Sequence, residues 1–244
     1  MRENKIFNKN DVICIIPARG GSKGLKNKNL RKVFNKKLIQ YPIEYAVKSK
    51  LVGKIIVSTD SKEIAKVAIK SGATVPFIRP EKISGDLSTT EETLKHALLT
   101  YEKIINKKFK ICIFLTCTDI FREKKWIKQG LNLLKNNKKL QSVFVGSKTH
   151  KNFWEQNKLK KQKKWKRLKK RMKYYSSRQI RQFIVREDTG LFCASRADLW
   201  RKGKRIGDNV EIIFNNNNFS AIDIHDVNDL KLANAAKKIE YETK

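Results

Sequence analysis

The chain has 244 residues and a mass of 28.4 kDa, enough for one domain with a large apolar core. No apolar stretch approaches the length of a membrane-spanning helix, and the short first apolar run lacks the pattern of a signal peptide, so we expect a cytoplasmic protein without a membrane partner. The net charge of +33 would suit a nucleic-acid partner, but lysines are spread along the whole chain. This favours a general residue bias, and such a field would also attract anionic substrates.

Apolar segments and helical periodicity alternate along the chain. The predicted strands are 12–16, 55–58, 75–78, 110–115, 142–146, 191–194 and 210–214, and the predicted helices are 38–49, 62–71, 89–105, 124–135 and 227–241. Strands that alternate with helices are typical of an α/β fold with a doubly wound, mostly parallel sheet. Ligands bind beyond the carboxyl ends of the strands in such sheets, where Asp60 and the segment after the first strand both fall.

Local signals predict two helix ends and one interruption. Ser88 and Glu91 have capping-box spacing before the third helix, and Gly72 is placed to end the second. Residues 153–182 break the alternation, and 158–173 within them is dense in Lys and Arg around Trp165. Basic residues around an aromatic side chain can bind RNA, but we favour a solvated hairpin or loop.

Four cysteines are scattered along the chain, at Cys14, Cys112, Cys117 and Cys193, without the paired spacing of a zinc site. Three of them, all but Cys117, lie inside apolar runs. We predict that these three are small core side chains rather than metal ligands or disulfide partners.

The segment 17–30 follows the first predicted strand and has the composition of a phosphate-binding loop. Three glycines allow close approach of the backbone to a ligand, and three basic side chains add positive charge: Gly20, Gly21 and Gly24, and Arg19, Lys23 and Lys28. The spacing matches neither a Walker loop nor the Gly-x-Gly-x-x-Gly dinucleotide fingerprint. From these residues alone, a loop for a nucleotide or sugar phosphate and a basic surface turn are both open.

The same segment resembles the signature of the CMP-N-acylneuraminate (CMP-sialic acid) synthetases. Every fixed position of that signature is present: Pro17, Ala18, Arg19, Ser22, Lys23, Gly24, Leu25, Lys28, Asn29 and Leu30. Further matches follow in the family's order, at 56–60, 79–80, Asp86, 96–98, 178–179, Arg186 and 222–224. The resemblance covers nearly the whole chain and implies a single nucleotidyltransferase domain, 1–244, with an insertion at 153–182.

This resemblance implies a Rossmann-like enzyme that joins CTP to an acidic nine-carbon keto-sugar, with Mg²⁺ as cofactor and pyrophosphate as the second product. The implied nucleotide contacts are Ala18, Arg19, Gly21, Ser22, Lys23, Lys28, Asn29, Arg79 and Asp86, and the implied catalytic residues are Lys23, Arg19 and Asp223. The implied sugar contacts are Thr116, Arg178 and Arg186, since a guanidinium can grip a carboxylate bidentately. In this family, the insertion helps to form a homodimer. Arg79 could instead be an ordinary loop arginine, and Arg178 and Arg186 could belong to the dimer surface.

The metal site departs from the family pattern. Asp223 matches the first of two aspartates that hold Mg²⁺ in this family, but His225 stands at the second position. Neutral imidazole is a poor ligand for a hard cation, so His225 is a weak candidate for the metal. Asp226 could supply the missing carboxylate or could cap the last helix above Asp229, and we favour the cap. Asp60 could likewise cap a helix or lie in the active site.

Two further departures concern the sugar. Thr116 replaces a glutamine that contacts the sugar in this family, whereas Thr118 and Arg122 are kept. Asp119 could compensate as a ligand of Mg²⁺ or of a sugar hydroxyl, or could cap the following helix. The loop 186–190 is one residue longer than in the family.

We therefore predict a cytidylyltransferase for an N-acylneuraminate-type acid and keep two alternatives. The first is the same chemistry on another acid, such as the octulosonate of lipopolysaccharide, legionaminate or pseudaminate. The second is an inactive nucleic-acid-binding relative, which the charge of +33, Thr116 and His225 would suit.

Overall fold

The computed structural model describes residues 7–157, 164–168, 177 and 179–242. Its strands are β1 (Val12–Pro17), β2 (Lys32–Val33), β3 (Lys36–Lys37), β4 (Lys54–Ser58), β5 (Ile111–Phe114), β6 (Ser142–Thr149), β7 (Trp154–Asn157), β8 (Lys164–Arg167), β9 (Ile184–Glu187), β10 (Cys193–Arg196) and β11 (Val210–Phe214). Its helices are α1 (Gln40–Ser49), α2 (Lys62–Lys70), α3 (Thr90–Ile105), α4 (Trp126–Asn136), α5 (Ala197–Arg201) and α6 (Val227–Glu242).

Seven strands form the central sheet, in the order β11-β6-β10-β5-β1-β4, with β9 paired to β6. In the middle of this sheet, Ile15 of β1 lies opposite Ile56 of β4 and Phe114 of β5, and both pairings are parallel. β1, β4, β5, β6 and β11 run in one direction, while β9 and β10 run in the other. The sheet is therefore mostly parallel, as predicted.

Helices cover both faces of this sheet. Side chains of a strand alternate between the faces, so Cys14 and Ile16 of β1 join the apolar cluster under α1, α2, α4 and α6. Ile13 and Ile15 join the second cluster, under α3 and α5. The doubly wound architecture predicted from the alternation is confirmed.

The matched elements begin and end within three residues of their predicted bounds, and one predicted strand is wrong. Among residues 75–78 only Ile78 forms a bridge to the sheet, with Thr59, and the bridge before it joins Thr74 to Ile56. Pro76 lies between these bridges and has no N–H group with which to continue a ladder. The short helix α5, the strand β9 and the hairpin β2–β3 were not predicted, whereas the hairpin β7–β8 overlaps the segment 158–173, for which a hairpin or loop was favoured.

Of the two predicted helix ends, the end of α2 agrees with the structure and the start of α3 is shifted by one residue. Gly72 follows α2 with a φ of 95°, the left-handed conformation that ends the helix as predicted. The capping box of α3 lies one residue later than predicted, because Thr89 and Glu92 form it: Thr89 Oγ1 accepts from the Glu92 N–H at 3.1 Å, and Glu92 Oε2 accepts from the Thr89 N–H at 2.9 Å.

The cysteine prediction is confirmed, since all four thiols are free and buried. Within the described part of the chain, no helix is long and apolar enough to span a membrane. Of the predicted insertion, the structure describes the β7–β8 hairpin, in which Gln156 pairs with Trp165. Most of the dense basic segment 158–173 lies outside the described residues.

Candidate active site

Three cavities lie in a row at the carboxyl ends of the parallel strands. The first, of about 230 Å³, has Pro17, Arg19, Arg79, Asp86 and Thr90 in its wall. The central cavity, of about 580 Å³, includes Thr90, Thr116, Asp119, Arg186 and Asp223, and the distal cavity, of about 560 Å³, includes Ser147, Phe153, Arg186, Asn216 and Asn218. Because Thr90 lines the first two and Arg186 the last two, the cavities adjoin one another.

Hydrogen bonds hold the loop candidate at the end of β1. The Ala18 N–H donates to the Ser58 carbonyl at 2.9 Å, and the Gly20 N–H donates to Asp60 Oδ1 at 2.7 Å. Asp60 therefore anchors this loop. It does not cap α2, whose N-cap is Ser61.

The loop also meets the segment that carries Asp223. A Cβ atom on Gly24 would lie 2.8 Å from the carbonyl oxygen of His225, so the approach requires glycine. Asn29 Nδ2 donates to the Arg19 carbonyl at 2.9 Å and folds the loop back on itself, while Gly21 is exposed and Ser22 is half-buried. Partial burial lowers the pKa of Lys28, and the negative charge of Asp223 opposes that shift.

Asp86 lies between the two basic residues that were predicted to be catalytic. Its Oδ1 is 2.9 Å from Arg19 Nη2, and its Oδ2 is 2.6 Å from Lys23 Nζ. The hydrogen bond from Lys23 holds the pKa of Asp86 below its usual value. Asp86 thus forms ion pairs with the two cations that were expected to bind phosphate.

Arg79 is buried in the wall of the same first cavity, with 5% of its surface exposed. Its Nε donates to Ser84 Oγ at 3.0 Å, and burial lowers its pKa. The first cavity therefore has Arg19, Arg79 and Asp86 in its wall, and Lys23 pairs with the Asp86 carboxylate.

Asp223 faces the central cavity and is held by its neighbour. His225 Nε2 lies 2.7 Å from Asp223 Oδ2. Asp226 caps α6, because its Oδ1 accepts from the N–H groups of Asn228 at 2.7 Å and Asp229 at 3.0 Å. The cap predicted for Asp226 is confirmed.

Asp119 also lines the central cavity. Its Oδ2 accepts from Thr116 Oγ1 at 2.5 Å and from Thr118 Oγ1 at 3.4 Å, so the Thr116 hydroxyl is engaged within the protein. A Cβ atom on Gly190 would lie 2.2 Å from this oxygen, and glycine there leaves room for the carboxylate. The following helix begins only at Trp126, so the cap proposed for Asp119 is wrong.

The two aspartates of the central cavity influence each other. Their segments are joined by a hydrogen bond from the Ile224 N–H to the Thr118 carbonyl at 3.4 Å. Burial raises the pKa of Asp119, and the negative charge of Asp223 raises it further. A cation between these groups would relieve that repulsion.

Arg122 is half-buried and clamps the wall of this cavity. Its Nε donates to the Leu191 carbonyl at 2.7 Å, and its Nη2 donates to the carbonyls of Thr116 at 2.7 Å and Gly190 at 2.8 Å. The sequence showed Arg122 only as a matched position. The structure shows that Arg122 holds the backbone of the cavity wall in place through these carbonyls.

Arg186 stands where the central and distal cavities adjoin. Its Nε donates to Asp188 Oδ1 at 2.6 Å, and Asp188 Oδ2 accepts from Ser147 Oγ at 2.5 Å. The support of Arg186 by Asp188 was not predicted, because only the lengthened loop 186–190 signalled a local change. Arg178 lies outside the described residues.

A second arginine in the central wall also went unnoticed. Arg205 Nε lies 3.1 Å from Glu91 Oε1, and its Nη2 lies 3.0 Å from Glu187 Oε1. No motif surrounds Arg205 in this lysine-rich sequence, so no signal pointed to it.

The sheet, the glycine-rich basic loop and the facing carboxylates define the class: this is a Rossmann-like nucleotidyltransferase fold. The solved structure of CMP:2-keto-3-deoxy-manno-octonic acid synthetase complexed with CTP has the same fold, with a TM-score of 0.67 and 14% identity over 94% of this chain and 99% of that one. Residues 13–222 match the cytidylyltransferase family model, and the chain therefore belongs to that family.

The chain is also similar in sequence to two curated relatives. A CMP-N,N'-diacetyllegionaminic acid synthase of Campylobacter jejuni is 44% identical over 110 residues, which are 45% of this chain and 45% of the relative. An N-acylneuraminate cytidylyltransferase of Escherichia coli is 36% identical over 140 residues, which are 57% of this chain and 32% of the relative. The chain thus aligns with less than half the length of either relative.

Proposed function

We propose that the protein transfers a cytidylyl group from CTP to an acidic nine-carbon sugar of the N-acylneuraminate type, giving the CMP-sugar and pyrophosphate. One observation carries this proposal: the row of cavities begins at Arg19 and Lys23, passes Asp223 and continues beyond Arg186. A basic loop, carboxylates and an arginine therefore follow one another along one site. The names of the two relatives support an acidic sugar as the acceptor.

In the proposed reaction, the anomeric hydroxyl oxygen of the sugar bonds to the α-phosphorus of CTP. The bond from that phosphorus to the oxygen that bridges the α- and β-phosphates breaks, pyrophosphate leaves with that oxygen, and the hydroxyl proton is released. Arg19 and Lys23 stabilise the charge on the α-phosphate and the departing pyrophosphate. Ala18, Gly21, Ser22, Lys28, Asn29 and Arg79 complete the proposed nucleotide contacts, while Asp86 acts on Arg19 and Lys23.

Arg186 is proposed to bind the sugar's carboxylate. Asp188 holds its Nε, which fixes the plane of the guanidinium and orients its terminal nitrogens. Arg178, the homodimer and the cytoplasmic location rest on the resemblance of the sequence. We include all three in the proposal on the basis of that resemblance.

The residues of the central cavity suit Mg²⁺. Bound there, Mg²⁺ would neutralise phosphate charge and lower the pKa of the attacking hydroxyl. Asp223 and Asp119 would supply the hard oxygen ligands, whereas His225 fits the role of holding Asp223. No three His, Cys, Asp or Glu side chains among the described residues form a metal site alone. Two carboxylates with phosphate oxygens and water are the usual surroundings of Mg²⁺.

Pyrophosphate release tests the proposal. The purified protein is given CTP and Mg²⁺ with N-acetylneuraminate, legionaminate, pseudaminate or octulosonate, and we expect release with an N-acylated nine-carbon acid. Lys23→Ala should keep the fold and lower turnover by about a hundredfold, the scale of one charge-stabilising group. Full turnover by Lys23→Ala would refute the role of the loop. No pyrophosphate release with any of the acids, together with salt-sensitive RNA binding, would favour the nucleic-acid-binding alternative.

A further inference from the structure

The distal cavity has no part in the nucleotide chemistry described above. At about 560 Å³, it has the size of a small-molecule site, and it adjoins the central cavity along Arg186, Ser220 and Ala221. A ligand that spans both cavities must therefore pass Arg186.

The chemistry of a 2-keto acid sugar predicts how it would lie across this boundary. Its carboxylate and its anomeric hydroxyl are attached to the same carbon atom. With the carboxylate on Arg186, the hydroxyl can point to the central cavity, where the α-phosphorus is proposed to lie. The ring and the tail of the sugar then extend into the distal cavity.

The segment after β11 that lines the distal cavity is held in place by alternate asparagines. Asn215 Nδ2 donates to Ser147 Oγ at 3.2 Å, and the Asn217 side chain accepts from the Phe219 N–H at 2.9 Å. Asn215 is buried and also bonds to Ser220. These two asparagines build the loop.

The other two asparagines, Asn216 and Asn218, are exposed and line the cavity. Within the described part of the chain, their side chains have no hydrogen-bond partner. A carboxamide offers both a donor and an acceptor, which match the C=O and N–H groups of an N-acyl substituent. Phe153 adds an apolar surface beside them, suited to the acyl methyl group.

We propose that the distal cavity is the subsite for the amide-bearing tail of the sugar, with Asn216 and Asn218 bonded to its N-acyl groups and Phe153 packed against an acyl methyl. This inference rests on the proposed function and specifies its substrate class. The acceptor is an N-acylated nine-carbon acid, and an octulosonate that carries only hydroxyl groups is a poor substrate.

The test is a double variant, Asn216→Ala with Asn218→Ala, assayed with CTP and either N,N'-diacetyllegionaminate, N-acetylneuraminate or octulosonate. We expect the ratio of kcat/KM for the N-acylated acid to that for octulosonate to fall by about tenfold through KM, because neutral hydrogen bonds are lost. The Kd of CTP, measured by calorimetry, should not change. Asn136→Ala, at an exposed position in the last turn of α4, is the matched control and should leave the ratio unchanged.

The outcomes separate the inference from the proposed function. An unchanged ratio in the double variant, or a wild-type preference for octulosonate, would contradict the proposed subsite. CTP-dependent turnover in the same assay would still support the proposed cytidylyltransferase activity. Binding of CTP without turnover of any acid overturns both.

Discussion

Replacing Arg122 by lysine should loosen the wall of the central cavity. The guanidinium donates to three backbone carbonyls within 2.8 Å, and the residue is half-buried. A lysine ammonium keeps the charge but lacks the planar fork, and we expect it to lose two of the three bonds. At about 1.5 kcal/mol for each hydrogen bond to a charged group, the free energy of unfolding should fall by about 3 kcal/mol.

Urea denaturation followed by circular dichroism measures this loss. For a chain of this length it corresponds to a Tm lower by about 6 to 12 °C. Arg31→Lys is the matched control, because the exposed Arg31 side chain makes one hydrogen bond among the described residues, from Nε to the Lys26 carbonyl at 3.0 Å. This variant should change stability by less than about 0.5 kcal/mol. Equal stabilities of the Arg122 and Arg31 variants would refute the clamp.

Two carboxylates give further predictions. Asp86→Asn should tighten the binding of pyrophosphate and CTP by about threefold at low salt and by less at high salt, because phosphate then has no carboxylate to displace from Arg19 and Lys23. Weaker binding, measured by calorimetry, would mean that Asp86 holds these cations in place for phosphate. Asp119→Asn should lower the affinity for Mn²⁺ in the presence of CTP by about tenfold or more, measured by electron paramagnetic resonance. The raised pKa of Asp119 means that the folded state binds more protons than the unfolded state between the two pKa values, so the stability contributed by this carboxyl falls as pH rises. Asp119→Asn should therefore gain stability over the wild type at pH 7, and urea midpoints should show that gain disappear below pH about 4; a less stable variant at pH 7 would contradict this assignment.

The elements that local patterns predicted are those whose cause is local. The apolar run of β1, the strand β11 and the periodicity of α6 are visible in a short window, and their observed bounds agree within one residue. Strand direction is different, because it depends on pairing partners far along the chain. β10 was predicted as one more strand of a mostly parallel sheet, yet it runs antiparallel between β5 and β6.

The candidate site divides in the same way. The composition of the loop 17–30 and the cap at Asp226 depend on near neighbours, and the sequence was sufficient for both. The clamp at Arg122 joins residues up to 69 positions apart, so no window around Arg122 contains it.

By itself, the sequence determined the α/β fold, the basic glycine-rich loop and its place at the end of β1, because periodicity and composition are properties of neighbouring residues. Only the tertiary structure decided which acid meets which cation or amide. Asp60 anchors Gly20 from 40 residues away, Asp86 lies between Arg19 and Lys23, and Asp119 lies in the same cavity as Asp223. Electrostatic roles depend on distances in space, and the spacing of residues along a chain does not contain those distances.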